Sequence, residues 1–297
     1  TALFLMRFVG APFTFSFEQV GTNCGLFGKN AAVEVDGSSY WMSENGFFTY
    51  DGQLKSMPCL VEDYVYDSVN DTSRDLINCG LNNLFGEINW FYCSEGSDVV
   101  DRVVTYNYLD SSAKQPIWTT GSLDRTAWQD SSVFNRPHAT YYTSTDDDSF
   151  DVTGNTDGIT IYYNQETGTD QVNAGGVVTA IQANILSGDF DITQKRSNTG
   201  QAVGTPDLRG DGEYIMRISR FIPDFINQTG TTQVSFTTRA YPNSTPITTN
   251  FPIDSTTTFK STRIRARSIA LKVSNTGSNQ DWKLGTFRLD VAPGGMR

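Results

Sequence analysis

Apolar and polar side chains alternate every second residue along much of this chain, and the alternation is clearest after residue 170. Over 213–225, Ile215, Arg217, Ser219 and Phe221 fall on one parity, and Met216, Ile218, Arg220 and Ile222 on the other. Over 232–241, Val234, Phe236 and Thr238 share a parity. Successive side chains of a strand point to opposite faces, so each of these stretches reads as a strand with two distinct faces. The stretch 258–273 changes phase partway. Arg263, Arg265 and Arg267 share one parity, with Ile264 and Ala266 on the other; Ile269, Leu271 and Val273 then occupy the parity of the arginines. A strand exchanges faces only at a bulge, twist or break, which predicts an irregularity at Arg267–Ser268. Period-2 spacing also places the three guanidinium groups in one row. That row is either a solvated strand face or a docking surface, and Arg263, Arg265 and Arg267 are the candidate subunit-interface residues.

Earlier in the chain the strands are shorter and the turns denser. Residues 1–21 read as two strands joined at Gly10-Ala11-Pro12, with Phe13, Phe15 and Phe17 alternating with Thr14, Ser16 and Glu18 in a half-buried pattern. Between 32 and 53, Asp36-Gly37, Asn45-Gly46 and Asp51-Gly52 punctuate three aromatic strands. Such dipeptides supply the positive φ that tight hairpins require, so the unit is a meander like one blade of a propeller. Residues 61–78, following Pro58, form the best helix candidate, or else a connection with a short helix. Strands follow at 87–92, 101–108, 117–128, 138–142 and 159–163. Asp-Gly or Asn-Gly before an aromatic strand recurs as a loose internal repeat, too degenerate to count blades. Residues 194–212 are polar and Gly-rich, a long loop or arm. The expected fold is all-β: a partial propeller-like meander region over 1–168, then a β-sandwich domain over 169–297.

Composition agrees with many turns and few helices. Phe (19) and Tyr (13) are abundant among Thr, Ser, Asn, Asp and Gly. The net charge of −11 opposes sequence-specific nucleic-acid binding, which needs cations to neutralise phosphates, but does not oppose a channel through which DNA slides without sticking. Cys24, Cys59, Cys79 and Cys93 contain no CxxC spacing, and no histidine is close in sequence, so no zinc site is expected. They either pair in an oxidising setting or are buried free thiols. No run is long and apolar enough to span a membrane. Arg7 and Glu18 interrupt the apolar start, which does not read as a signal peptide. A chain starting at Thr1 is expected to be a piece of something longer.

Candidate chemistry is sparse. His138 is the only histidine, and no GxSxG elbow accompanies it, so a strand-end or turn role is expected. Glycosidases on all-β folds need two carboxylates at a set separation; the candidates are Asp36, Asp51, Glu87, Asp101, Asp124 and Asp130, most of them turn residues. The acidic run at 146–151 lacks the register and distal Glu of a calcium loop and reads as solvated. There is no GxxxxGK[ST] and no GxGxxG opening a helix, so no cofactor is expected. Trp41, Trp90, Trp118 and Trp128 read as core rather than as a sugar platform. The sequons at Asn70, Asn227 and Asn243 carry little weight in so Asn- and Thr-rich a chain.

Several blocks, in order, resemble tail proteins of double-stranded DNA bacteriophages. They are GTNCGLFGKNAAVEVDGSSYWMSENGFFTYDGQLKSMPC (21–59), INWFYCSEGSDVVDRVVTYNY (88–108), GSLDRTAWQD (121–130), YYNQETGTD (162–170), RFIPDF (220–225), RIRARSIALKV (263–273) and DWKLGTFRLDVAPGGMR (281–297). Most of the chain is similar to the tail tube, hub or nozzle proteins below the portal of short-tailed phages. The resemblance implies a structural virion component rather than an enzyme. It implies a ring of copies, commonly a hexamer, in contact with portal or adaptor proteins, with double-stranded DNA passing through the lumen. It also implies a propeller-like domain beside a β-sandwich platform, and a further region preceding the TALFLMRFVG block. Residues 194–212 are then a lineage-specific insertion. The alternative is a receptor- or carbohydrate-binding tail protein, glycan-cleaving if a carboxylate pair lies in a cleft.

Overall fold

Tight turns cut the chain into short antiparallel strands. In the computed structural model of this 297-residue chain all residues are described except 1, 113–114, 132–134, 145–158, 173–175, 193–213, 242, 276 and 296–297. The acidic run at 146–151 and the polar stretch at 194–212 therefore lie outside the described residues. The chain divides into two compact units, Thr1–Thr167 and Gly168–Arg297.

In the first unit, β1 (Ala2–Gly10) and β2 (Thr14–Thr22) form a two-stranded ribbon. A four-stranded meander follows, of β3 (Ala32–Val35), β4 (Ser38–Ser43), β5 (Gly46–Tyr50) and β6 (Leu54–Met57). Its first turn has φ of 49° at Asp36 and 78° at Gly37, the paired positive values of a tight hairpin. A second four-stranded meander comprises β7 (Asn78–Asn82), β8 (Glu87–Tyr92), β9 (Arg102–Asn107) and β10 (Trp118–Gly121). Three more strands, β11 (Ala127–Gln129), β12 (His138–Ser144) and β13 (Ile159–Gln165), form a further sheet.

The two meanders share a core. Phe47 of β5 packs against Trp90 of β8 and Trp118 of β10, with ring centroids 5.0 and 4.7 Å apart. β8 is apolar on both parities because both of its faces are covered. Ile88, Trp90 and Tyr92 enter this core, while Phe91 enters a second cluster with Cys93, Val100 and Val103 on the other side. Each of the four tryptophans of this unit donates its indole N–H to a backbone carbonyl: Trp41 to Cys24 (2.7 Å), Trp90 to Ala31 (3.0 Å), Trp118 to Pro58 (2.8 Å) and Trp128 to Leu81 (2.8 Å). Large apolar area and a satisfied polar tip combine in each, which suits a core role. Cys24 and Cys93 are buried, and all four cysteines are free thiols.

Two expectations are corrected here. Residues 61–78 do not form one helix; the other reading, a connection with a short helix, is what forms. A short α1 (Glu62–Tyr66) and a 3-10 segment (Asp71–Leu76) are separated where Val69 bridges Ser94 and the Asn70 N–H donates to the Cys93 carbonyl at 2.9 Å. Pairing with 93–95 takes the backbone groups that a continuous helix would use. The sequon residue Asn70 caps the second piece, its side chain accepting from the Thr72 N–H at 3.0 Å. The second correction concerns the first hairpin. Phe13, Phe15 and Phe17 are not half-buried but 80%, 45% and 69% exposed, because none of the described residues covers their side chains.

In the second unit, β14 (Asp170–Val172) and β15 (Val178–Ala180) form a small ribbon. The remaining strands are β16 (Asn184–Leu186), β17 (Met216–Ile222), β18 (Phe225–Thr229), β19 (Thr232–Arg239), β20 (Ile247–Ile253), β21 (Lys260–Ala266), β22 (Ser268–Ser274), β23 (Asp281–Leu284) and β24 (Arg288–Pro293). They assemble in the orders β16-β22-β19-β20, β21-β17-β24 and β18-β23. Met216, Ile218, Phe221 and Ile264 from the three-stranded sheet share one core with Val234, Phe236, Ile269 and Val273 from the four-stranded sheet. Each such side chain contributes about 1.5–3 kcal/mol by leaving water.

The expected irregularity lies where the phase of the sequence changes. β21 ends at Ala266 and β22 begins at Ser268, and the two belong to different sheets. Ile264 faces the shared core from one sheet and Ile269 from the other, which is why the apolar parity reverses. The described residues are mostly strand in many small antiparallel sheets, with almost no helix and no closed propeller or barrel among them.

Candidate interaction face

The three-stranded sheet β21-β17-β24 turns one face to the core and the other outward. On β21 the inward residues are Ile264 and Ala266, and alternation leaves Arg263 and Arg265 exposed. On β24 the same logic exposes Arg288 and Asp290 around the half-buried Leu289. β17 departs from simple alternation. Its register shifts between Ile218 and Arg220 against both neighbours. Ile218, Ser219 and Arg220 span what only Val291 and Asp290 span on β24, which is a bulge. Sequence parity placed Phe221 with Arg217, and Arg220 with Met216. The bulge reverses this: Met216, Ile218 and Phe221 are buried, whereas Arg217 and Arg220 are exposed.

The outward face therefore carries Arg217, Arg220, Arg263, Arg265 and Arg288 against the single carboxylate of Asp290. Arg220 Nε donates to Asp290 Oδ2 at 2.6 Å, and its guanidinium lies 5.6 Å from the centre of the Phe259 ring. Among the described residues it is the one arginine of the five with a carboxylate partner. Arg217 stands opposite Arg265 in the strand pairing. Like charges directly opposite destabilise a sheet, so this pair is a local cost of keeping the face cationic. Beside β21, an open groove of about 510 Å³ is lined by Thr238, Thr249, Phe251, Thr262, Arg263 and Arg265.

The row of three arginines is two plus one. Arg263 and Arg265 share the face of β21. Arg267 falls at the break between the sheets, half-buried, with its guanidinium 5.6 Å from the Tyr241 ring centre. Sequence reading missed Arg217, Arg220 and Arg288. Arg217 and Arg288 could have been found by parity opposite to their buried neighbours, but nothing local says that their strands flank β21.

The other candidate residues have structural work. His138 is the first residue of β12, 8% exposed, stacked on Tyr163 and hydrogen-bonded through Nδ1 to its hydroxyl. Asp36 forms the turn described above. Asp51 accepts from Lys55 at 2.6 Å, and that ammonium is the main reason its carboxyl lies below the usual range. Burial pushes the carboxyl of Glu87 up, opposed by the Asn82 amide. Asp101 accepts from the Ser94 N–H (2.8 Å) and hydroxyl (2.6 Å). Asp124 pairs with Arg125 at 3.1 Å, and Asp130 accepts from the Asn83 N–H at 3.3 Å. Among the described residues no group of three or more His, Cys, Asp or Glu is arranged to hold a metal ion.

No protein-family model matches this chain, and no curated protein matches it. A solved structure titled "Glycoside hydrolase" aligns over 87% of this chain and 84% of its own at 9% identity, with a TM-score of 0.17. A likeness that low carries no argument about fold or activity.

Proposed function

We propose that this chain is a structural virion protein of a bacteriophage tail, packing against copies of itself in a ring of nozzle or hub type through which DNA leaves. The observation that carries the reading is the outward face of β21-β17-β24, where five arginines meet one aspartate on a chain of net charge −11. A cationic patch on an otherwise acidic protein fits the acidic surface of another copy. A contact between two different patches is heterologous, and heterologous contacts build a ring where the rotation between copies closes. The acidic remainder suits a lumen that repels DNA phosphates rather than binding them. The phage-tail resemblance of blocks spread over most of the chain points the same way. On this reading the successive meanders of the first unit are propeller-like blades, and the shared core of the second unit is that of a β-sandwich platform. The ring is a hexamer in contact with portal or adaptor proteins.

The test is the mass of the assembly by light scattering or native mass spectrometry, alone and with portal or adaptor partners, at low and high salt. A closed oligomer that weakens as salt rises is expected. A chain that stays monomeric with those partners, or a ring that survives Arg→Glu at Arg263, Arg265 and Arg267 together, would overturn the electrostatic ring. In the first case weight moves to a receptor- or glycan-binding tail protein.

A further inference from the structure

The β1–β2 ribbon is an apolar structure left in water. Its register pairs Met6 with Phe17 and Phe8 with Phe15, so Phe4, Met6, Phe8, Phe15 and Phe17 share one face. Their exposures are 58%, 57%, 73%, 45% and 69%. The Phe8 and Phe15 rings pack edge to face at 5.8 Å. At roughly 150–250 Å² per large side chain, the face offers on the order of 500 Å², as much as the largest patch of an ordinary monomer. Each strand has nine residues, which makes the ribbon about 30 Å long. At its base Gly21 lies so close to Leu54 of β6 that a Cβ would collide with it, which ties this end to the first meander. A two-stranded hairpin alone is marginal in water, so the rest of its stability comes from whatever covers it.

The second unit holds a counterpart. Val172, Val178, Ile185 and Leu186, on β14 to β16, are 61%, 53%, 45% and 61% exposed. β14–β15 is again a two-stranded ribbon, and among the described residues β16 pairs only with β22, leaving an open main-chain edge. Charge distinguishes both segments from the rest of this acidic chain. Residues 1–22 hold one Arg and one Glu, and residues 170–186 hold Asp170 alone, whose carboxylate accepts from the Asn279 N–H at 2.8 Å. Two acidic copies meet at least cost where both carry little net charge. One uncovered donor and one uncovered acceptor per chain also match the stoichiometry of a head-to-tail contact.

We infer that the β1–β2 ribbon is an exchange arm that lays its Phe face on the sparsely charged β14–β16 edge of a second copy of this chain. The inference rests on the ring reading for its partner and adds the apolar half of the contact. It joins apolar faces with an open strand edge, a combination that strand addition uses.

The experiment is backbone hydrogen exchange on the full chain across a wide concentration range, with assembly mass measured in parallel. The amides of 2–22 and of 170–186 should gain protection together as copies associate. Phe8→Asp with Phe17→Asp, both on an exposed face, should leave the exchange of β7–β10 unchanged and weaken association by on the order of a hundredfold. A ring that forms equally well with both substitutions overturns the arm and leaves the ring reading standing. Arm-dependent association that never closes into a ring overturns the ring and leaves the arm. Protection of the arm that does not vary with concentration, or that comes without protection of 170–186, overturns the arm as well.

Discussion

Arg217 lies directly across the strand pair from Arg265, and both side chains are exposed. A sheet designed only for its own stability would place opposite charges there. Arg265→Glu creates such a pair and should stabilise the isolated chain by about 0.2–1 kcal/mol. If the arginine face docks an acidic surface, the same substitution should weaken assembly. Denaturant melts and assembly mass, measured side by side, separate the two. A variant that is more stable and equally well assembled would remove this face from the interface.

Gly80 of β7 lies under Trp128. A Cβ at this position would stand 2.5–2.8 Å from three atoms of the Trp128 side chain, which also donates its indole N–H to the next residue, Leu81. Gly80→Ala should therefore destabilise the first unit by about 1–3 kcal/mol through overpacking. Trp128 fluorescence would shift if the ring moves aside. An unchanged denaturation midpoint would show that the contact is slack.

Trp90 is fully buried and donates to the Ala31 carbonyl, which joins the second meander to the segment that enters the first. Trp90→Phe keeps most of the apolar area and removes one of that carbonyl's two donors, the Met42 N–H remaining at 3.1 Å. The expected loss is about 1–3 kcal/mol, from the lost indole hydrogen bond and the space left by the smaller ring. Urea unfolding measures it, and a loss indistinguishable from zero would mean that water or a shifted donor replaces the indole.

The cysteines predict an alkaline weakness. Burial raises the thiols of Cys59 and Cys93 to about 11 and pushes that of Cys79 well up. An unfolded thiol ionises near 8.5. Below that pH both states keep the proton and the contribution to stability is constant. As pH rises from there through the folded values, the unfolded chain loses protons that the folded chain retains, so stability falls. Native-state alkylation at pH 8 should be far slower than that of a free thiol. Fast labelling of Cys93 in the folded protein would contradict its burial.

Local chemistry fixed much of the fold in advance. Asp36-Gly37 demanded a hairpin because both residues take positive φ, and the meander of β3 to β5 followed. The parity reversal after Arg267 required a break, and the chain changes sheets there. The tryptophans sit where an apolar body with one donor is satisfied, in the core against a carbonyl. Of the arginine face, only Arg263 and Arg265 were legible, since alternation along β21 alone sets them on one side.

Tertiary structure decided what alternation leaves open. Period 2 tells which side chains share a face, but not whether anything covers that face. Phe13, Phe15 and Phe17 looked half-buried and are exposed, because coverage comes from residues far along the chain, and none of the described ones buries them. Residues 61–78 carried helical character, yet pairing with 93–95 claimed their backbone groups. Parity grouped Arg220 with Met216 and Ile218, and a one-residue bulge at Ser219 turned it out and brought Phe221 in. The cationic face joins strands separated by some forty to seventy positions, from Arg217 through Arg263 to Arg288. That neighbourhood exists only once long-range hydrogen bonding sets β17 between β21 and β24, and no local pattern encodes which strands pair.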